Sequence, residues 1–157
     1  MRVKNNILSI SLIGLTIFLI NSCNTMNNNT DFRIYSSDKK QCVTIITKEE
    51  IRYIINGKHS SVPKTDFVKI DISQVDSNSD EIGVCWKNNN YEWEIVNHSS
   101  KIIENKLDTL KFKFNTSWKN DEEGISNSKK YHKANCGTIG LMYMNTFGET
   151  VVLEMIK

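Results

Sequence analysis

Hydrophobic and polar residues alternate with a period of two over most of the chain, which predicts β-strands in preference to helices. The clearest case is residues 81–86 followed by residues 91–96, which are joined by the turn-forming residues 87–90. With Trp86 placed opposite Tyr91, all the bulky residues of both segments fall on one face of a hairpin. A slip of one residue would move side chains to the other face, so the pattern favours a defined register.

A second hairpin is predicted from residues 43–47 and 51–55 around a connection at residues 48–50. This alignment places Val43 opposite Ile55. The Asn-Gly pair at residues 56–57 then closes the second strand as a turn, because both residue types tolerate a positive φ.

Four further segments carry the same alternation, and the last two are predicted to form a closing hairpin: residues 67–72, 109–114, 139–144 and 150–156. Seven to eight short strands at this spacing predict a mainly β chain, either a single antiparallel β-sandwich or a small barrel. The longest stretch without a period is residues 118–135. Irregular segments of that length are uncommon in compact domains and are often functional.

The first 20 residues have a different character. Arg2 and Lys4 give a short basic start, and residues 7–20 follow without a charge. A spanning helix needs about 20 apolar residues, whereas the apolar part of a signal peptide has about 7 to 15. The segment is therefore predicted to be a signal peptide.

The segment ends in Leu-Ile-Asn-Ser-Cys at residues 19–23, with aliphatic Ile20 three positions before Cys23 and small Ser22 directly before it. This arrangement resembles the lipobox of bacterial lipoproteins. The resemblance implies removal of residues 1–22 and attachment of lipid to the Cys23 sulfur, with more than one acyl chain as a stable anchor. It also implies a location in the bacterial cell envelope.

The domain organisation follows from this boundary. Residues 23–31 form the lipidated cysteine and a polar tether, and residues 32–157 form a single β-rich domain. Because Asn24 and not an acidic residue follows the cysteine, the outer membrane is favoured over the inner membrane.

Charge limits the choice of partners. Of the 20 basic residues, Arg2 and Lys4 lie in the segment to be removed, which leaves 18 basic and 18 acidic residues. A neutral chain with scattered lysines has no basic stripe for a phosphate backbone, so nucleic acid is not expected as a partner. The expected partners are the membrane, through the lipid, and a protein or an envelope polymer. No cofactor is expected.

Three cysteines remain after Cys23: Cys42, Cys85 and Cys136. An oxidising envelope favours disulfides. Cys42 opens the first predicted hairpin and Cys136 precedes the last one, so a Cys42–Cys136 disulfide is predicted to join the two ends of the domain, with Cys85 left over. Three unpaired, mostly buried thiols are an equally open alternative.

Cys136 also lies four residues after His132, which supplies the residue types of a thiolate nucleophile and its base. Catalytic partners normally meet through the fold and not through local spacing, so no catalytic residue is assigned. His59 and His98 are isolated and lack zinc-site spacing.

Asp76, Asn78 and Asp80 match the Asp-x-Asn-x-Asp opening of an EF-hand-like calcium loop. The sixth and twelfth positions of that loop require glycine and glutamate, and here they are Glu81 and Lys87. These three residues are therefore weak metal candidates, and a polar loop between strands is the favoured interpretation.

The leading functional hypothesis is a lipid-anchored, non-catalytic binding module with contacts in residues 73–80 and 118–135. One alternative is a small exported hydrolase or thiol enzyme that uses Cys136 and His132. Another is an inhibitor of a wall-degrading enzyme.

Overall fold

The structure is a computed structural model that describes residues 31–87, 91–117, 135–148 and 150–156. These residues contain β-strands and no helix. In chain order the strands are β1 (Phe32–Ser36), β2 (Cys42–Lys48), β3 (Ile51–Asn56), β4 (Phe67–Asp71), β5 (Glu81–Lys87), β6 (Glu92–Asn97), β7 (Lys101–Asn105), β8 (Phe112–Asn115), β9 (Cys136–Gly140), β10 (Asn145–Phe147) and β11 (Val151–Met155).

The strands of the described residues form two open sheets. The first sheet has six strands in the order β11-β1-β2-β3-β4-β7, and the second has five in the order β10-β9-β5-β6-β8. Only β6 and β8 pair in parallel among the described strand pairs. The mainly β prediction is confirmed, and the two open sheets favour a sandwich-like arrangement. The additional strands are β1, β7 and β10.

The main core lies between the two sheets. Alternate residues of most strands point inward, and β7 and β10 contribute none to this core. The most deeply buried residues are Phe32, Ile34, Val43, Ile45, Ile54, Val68, Ile70, Ile82, Val84, Trp93, Ile95 and Ile139. A smaller apolar cluster of Ile46, Ile55 and Phe67 lies on the outer face of the first sheet, where Val62 packs against it. Burial of these side chains contributes the main favourable free energy of folding.

The β5–β6 hairpin forms as predicted, but its register differs by two residues. Trp86 lies opposite Trp93, and not opposite Tyr91. Tyr91 lies in the turn with a φ of 53° and is 64% exposed. A shift of two residues keeps every side chain on its face, so the hydrophobic pattern could not distinguish the two registers.

The β2–β3 hairpin also forms, but the predicted register is wrong by one residue. Val43 lies opposite Asn56, and not opposite Ile55, because the turn contains only Glu49 and Glu50. Glu49 has a φ of 56°, which allows this tight connection. The shift places Ile54 in the core and turns Ile55 toward the outer face.

The predicted closing hairpin is wrong. β9 pairs with β5 and β10 in the second sheet, whereas β11 pairs with β1 in the first sheet. Residues 141–144 form the turn between β9 and β10. The strand predicted from residue 109 begins at Phe112, and Leu110 is 87% exposed in the preceding turn. The partners and bounds of these strands depend on pairing between distant segments, which the local alternation of residues does not encode.

The two ends of the sandwich are distinct. We call one the cavity end, formed by residues 49–50, 72–80 and 141–144, and the other the tryptophan end, formed by residues 37–41, 57–66 and 106–111. Strand order and register place each group of connections together.

Candidate functional site

A charged pair made of a buried arginine and a partly buried aspartate closes the core at the cavity end. Arg52 is only 3% exposed and occupies a core-facing position of β3, two residues before Ile54. Its terminal nitrogens donate to both carboxylate oxygens of Asp80 at 3.0 and 2.6 Å. This two-pronged geometry suits the planar guanidinium group and joins the first sheet to the start of β5.

Neutral polar groups complete the pair. Asn97, at the end of β6, accepts a hydrogen bond from Arg52 at 2.5 Å and donates to the Asp80 carboxylate at 3.1 Å. Arg52 Nε donates to the Thr47 hydroxyl at 3.3 Å. A buried charge is costly unless it is paired and hydrogen-bonded, and this network meets both conditions.

A cavity of about 220 Å³ lies above this network. Its walls combine carboxylates, hydroxyl groups and apolar side chains: Glu49, Glu50, Arg52, Ile72, Ser73, Val75, Ser77, Asp80, Leu141 and Met142. Typical ligand pockets have about 300 to 1,000 Å³, so this one suits a single side chain or a small functional group.

The charges of the cavity walls are unbalanced. Three carboxylates, of Glu49, Glu50 and Asp80, face one guanidinium group, that of Arg52, and this group is bound to Asp80. Asp71, which directly precedes the wall residue Ile72 and lies opposite Lys101 of β7, accepts a hydrogen bond from the backbone N–H of Ser73, and this bond lowers the pKa of the Asp71 carboxyl below its ordinary value. The walls themselves thus carry more carboxylates than cationic groups, a composition that suits a cationic group in the cavity.

The structure separates Asp80 from the other two candidate calcium ligands, Asp76 and Asn78. Asp76 accepts hydrogen bonds from the backbone and the side chain of Asn78, at 3.0 and 3.2 Å, within the loop. Asp80 instead points to Arg52. Within the described ranges, no group of three or more His, Cys, Asp or Glu side chains is arranged to hold a metal ion.

The predicted Cys42–Cys136 disulfide is wrong, because Cys136 is bonded to Cys85. The register of β5 and β9 places these two cysteines directly opposite each other. Cys42 cannot reach this position. It lies on the outer face of the first sheet, whereas Cys136 lies on the outer face of the second.

Cys42 is the free thiol of the described part of the chain. Burial raises the pKa of this thiol above its ordinary value. Tyr35 of β1 lies opposite Cys42. Its hydroxyl donates a hydrogen bond to Glu154 at 2.6 Å, which raises the pKa of Tyr35 to about 12. A thiol that resists ionisation is a poor nucleophile, so this cluster lacks the features of an activated cysteine.

The thiol-enzyme hypothesis receives no support from the cysteine positions. Cys136 carries no free thiol in the disulfide. His132 and most of the predicted loop at residues 118–135 lie outside the described residues, as does Cys23. His59 contacts the backbone carbonyl of Asn56 at 3.0 Å.

Part of the site was predicted and part was missed. Residues 73–80, predicted as a contact loop, supply several walls of the cavity. Arg52 was missed, although a charged residue at a core-facing position of an alternating strand is a detectable signal. Leu141 and Met142 lie in a turn, and not in the strand predicted at residues 139–144.

Comparison of the chain with protein-family models, with curated proteins and with solved structures finds no match. No helix in the described part of the chain has the length and apolar character needed to cross a bilayer.

Proposed function

We propose that this chain is an exported, lipid-anchored binding module of the bacterial cell envelope, and that the cavity binds a cationic group. The N-terminal segment supports export, since a basic start, a short apolar run and the lipobox-like residues 19–23 occur in order. The Cys85–Cys136 disulfide also supports it, because disulfides persist in oxidising compartments.

The observation that carries the binding proposal is the unequal charge of the cavity. The Arg52 guanidinium is committed to Asp80, so the proposal relies on the Glu50 carboxylate in the cavity wall as the group that meets a cation. Ile72, Val75 and Leu141 provide apolar wall for a short aliphatic stem. A primary amine on such a stem matches both the charge and the size of the cavity.

The amine preference is tested with a pair of small probes that differ in charge. N-acetyl-lysine amide carries the amine, and N-acetyl-norleucine amide keeps most of the stem without it. We expect the lysine probe to bind with a Kd severalfold lower than that of norleucine in an NMR titration. Equal binding of the two probes would contradict the proposed charge recognition.

Two matched variants locate the binding. Glu50→Gln removes a carboxylate from the cavity wall and should weaken lysine binding severalfold. Glu104→Gln removes a carboxylate of β7 that forms an ion pair with Lys106 and does not line the cavity. This variant should leave the affinity unchanged. Equal effects of both variants would show that general charge, and not the cavity, attracts the probe.

The anchor is tested separately by intact mass spectrometry of protein extracted from membranes. The proposal predicts a mature chain that begins at Cys23 with a diacylglycerol thioether and an N-linked acyl chain. A soluble chain that retains its first methionine would contradict the anchor.

A further inference from the structure

The six-stranded sheet ends at β7, and no strand of the described residues pairs with the outer side of β7. Ile102 and Ile103, at the centre of this strand, are 41% and 49% exposed. An edge strand presents unpaired backbone N–H and C=O groups, and exposed apolar side chains add surface that a further strand can cover. β7 therefore has the features of a surface for strand pairing.

A β-bulge sets the direction of the two charged side chains of β7. Lys101 lies opposite Asp71 of β4, and Glu104 lies opposite Lys69, so Ile103 is an extra residue without a counterpart. The two β4 residues flank a core-facing isoleucine, so both point to the outer face of the sheet. Residues three apart in a regular strand point to opposite faces, but the bulge brings both charges of β7 to the outer face.

The order of these charges is self-complementary. Suppose that two antiparallel copies of β7 meet about a two-fold axis between Ile102 and Ile103. Lys101 of each copy then lies opposite Glu104 of the other, on the same face, and the isoleucines lie between the two charge pairs. Opposite charges directly across a strand pair are stabilising, and like charges are destabilising. The edge therefore matches a second copy of itself.

The other edge strands of the described residues lack this match. β8 carries a single charge, at Lys113, and β10 carries none. The charge of β11 is that of Glu154, which is already bonded to Arg33 and Tyr35. A charge on an exposed edge hinders pairing with other strands, and a strand that carries the opposite charge at the facing position avoids this penalty. Only β7 meets that condition among these edges.

The local partners of the two charges can be exchanged at little cost. Glu104 forms an ion pair with Lys106 at 2.9 Å, and both side chains are more than two-fifths exposed. Lys101 faces Asp71, whose carboxyl also accepts the backbone N–H of Ser73. Exposed ion pairs contribute little to stability, so these contacts compete weakly with pairs between two copies.

We infer that two copies of this chain associate through their β7 edges, so that their six-stranded sheets join into one. The association is independent of the ligand of the cavity. Because β7 has only five residues, the interface belongs to the small, transient class. We therefore expect reversible self-association that depends on protein concentration.

The association is tested on the full chain, purified in detergent, by sedimentation equilibrium in a density-matched buffer. Lys101→Glu places a carboxylate opposite Glu104 of the second copy, and Glu104→Lys places an ammonium group opposite Lys101. Each reversal converts two attractive contacts into two repulsive ones and should weaken the association roughly tenfold or more. Lys111→Glu, a control that reverses an exposed lysine beside Asp108 in the turn before β8, should leave the association unchanged.

The two-fold symmetry makes a stricter prediction. An equimolar mixture of the two single variants has unlike charges at both facing positions of a heterodimer and should recover the affinity of the parent chain. The double variant Lys101→Glu/Glu104→Lys restores both charge pairs and should also associate like the parent chain. Misfolding of a single variant cannot produce either recovery, and circular dichroism shows whether each variant keeps its β-structure.

Three results would overturn the inference. A parent chain that remains monomeric at the highest concentration tested has no such interface. A dimer that both single reversals leave intact uses another surface. Reversals that weaken the association, without recovery in the mixture and in the double variant, show that the two charges do not face each other.

Discussion

The two ends of the sandwich are closed by different chemistry. At the cavity end, the charged Arg52–Asp80 pair joins the sheets below an open, acidic cavity. At the tryptophan end, Trp93 Nε1 donates to the Asn56 side chain and Trp86 Nε1 donates to the carbonyl of Thr150, both at 3.1 Å. The second set of contacts joins the same two sheets without a charged pair.

This comparison distinguishes stability from function. At the tryptophan end, each tryptophan side chain makes one hydrogen bond and buries a large apolar surface. Trp93, for example, is 1% exposed and packs against Phe112. A buried ion pair is weak evidence for stability, since apolar residues of similar volume at the same positions often give an equally stable protein. We therefore regard the charged end as the end adapted for binding.

The largest effect is expected from breaking the charged pair on one side. Arg52→Met leaves the partly buried Asp80 carboxylate without its cationic partner and should reduce the free energy of unfolding by up to roughly 3 to 5 kcal/mol. The double variant Arg52→Met/Asp80→Leu should recover most of this loss. Urea denaturation measures both. A single variant as stable as the parent protein would show that the pair is not the closure of that end.

A loss of similar size is expected when the Cys85–Cys136 disulfide is removed. The two cysteines are 51 residues apart in sequence, so the chain-entropy description predicts a stabilisation of about 4 kcal/mol. Because the disulfide lies toward the tryptophan end, Cys85→Ser/Cys136→Ser should lower Tm and leave lysine-probe binding unchanged at a temperature where the variant is folded. Weaker binding of the lysine probe to the folded variant would contradict this prediction and show that the disulfide affects the cavity.

A moderate effect is expected from Trp93→Phe. The change keeps an aromatic ring but leaves the Asn56 side-chain oxygen without its indole donor, which should cost about 1 to 3 kcal/mol. Chemical denaturation measures the loss, and the NMR titration should give an unchanged Kd for the lysine probe. A change in Kd would argue against separate roles for the two ends.

The smallest effect is expected from Tyr35→Phe, and it depends on pH. Tyr35 has a pKa raised from 10.0 to about 12, so its contribution is present below pH 10 and is lost as the pH rises to 12. The same hydrogen bond lowers the pKa of Glu154, and this contribution is lost as the pH falls through its lowered folded-state pKa. Thermal melts should show the parent–variant difference shrinking at both extremes. A difference independent of pH would contradict this linkage.

The sequence predicts the strands better than their partners. Alternation locates β4, β5 and β6 closely, because each strand places its apolar side chains at alternate positions facing the main core. It does not fix register, as the two-residue error between β5 and β6 shows. The register error between β2 and β3 arises from the length of the turn. Glu49 adopts a positive φ there, and glutamate is not a residue type from which a positive φ would be predicted.

Pairings between distant segments were the least predictable part. β11 joins β1 and β9 joins β5, so neither belongs to the closing hairpin that local spacing suggests. The same limitation misplaced the disulfide, because the neighbours of Cys136 depend on sheet order. The cavity combines a turn, a loop and a second turn from distant parts of the chain, and of these three segments the contact hypothesis included only residues 73–80.

The most direct test of the two-end account is a map of backbone amide chemical-shift changes when N-acetyl-lysine amide is added. The account predicts changes confined to residues 49–52, 72–80 and 141–142, around the cavity. It predicts none at residues 57–66 or 106–111. Changes centred on the tryptophan end, or identical changes with the norleucine probe, would contradict it.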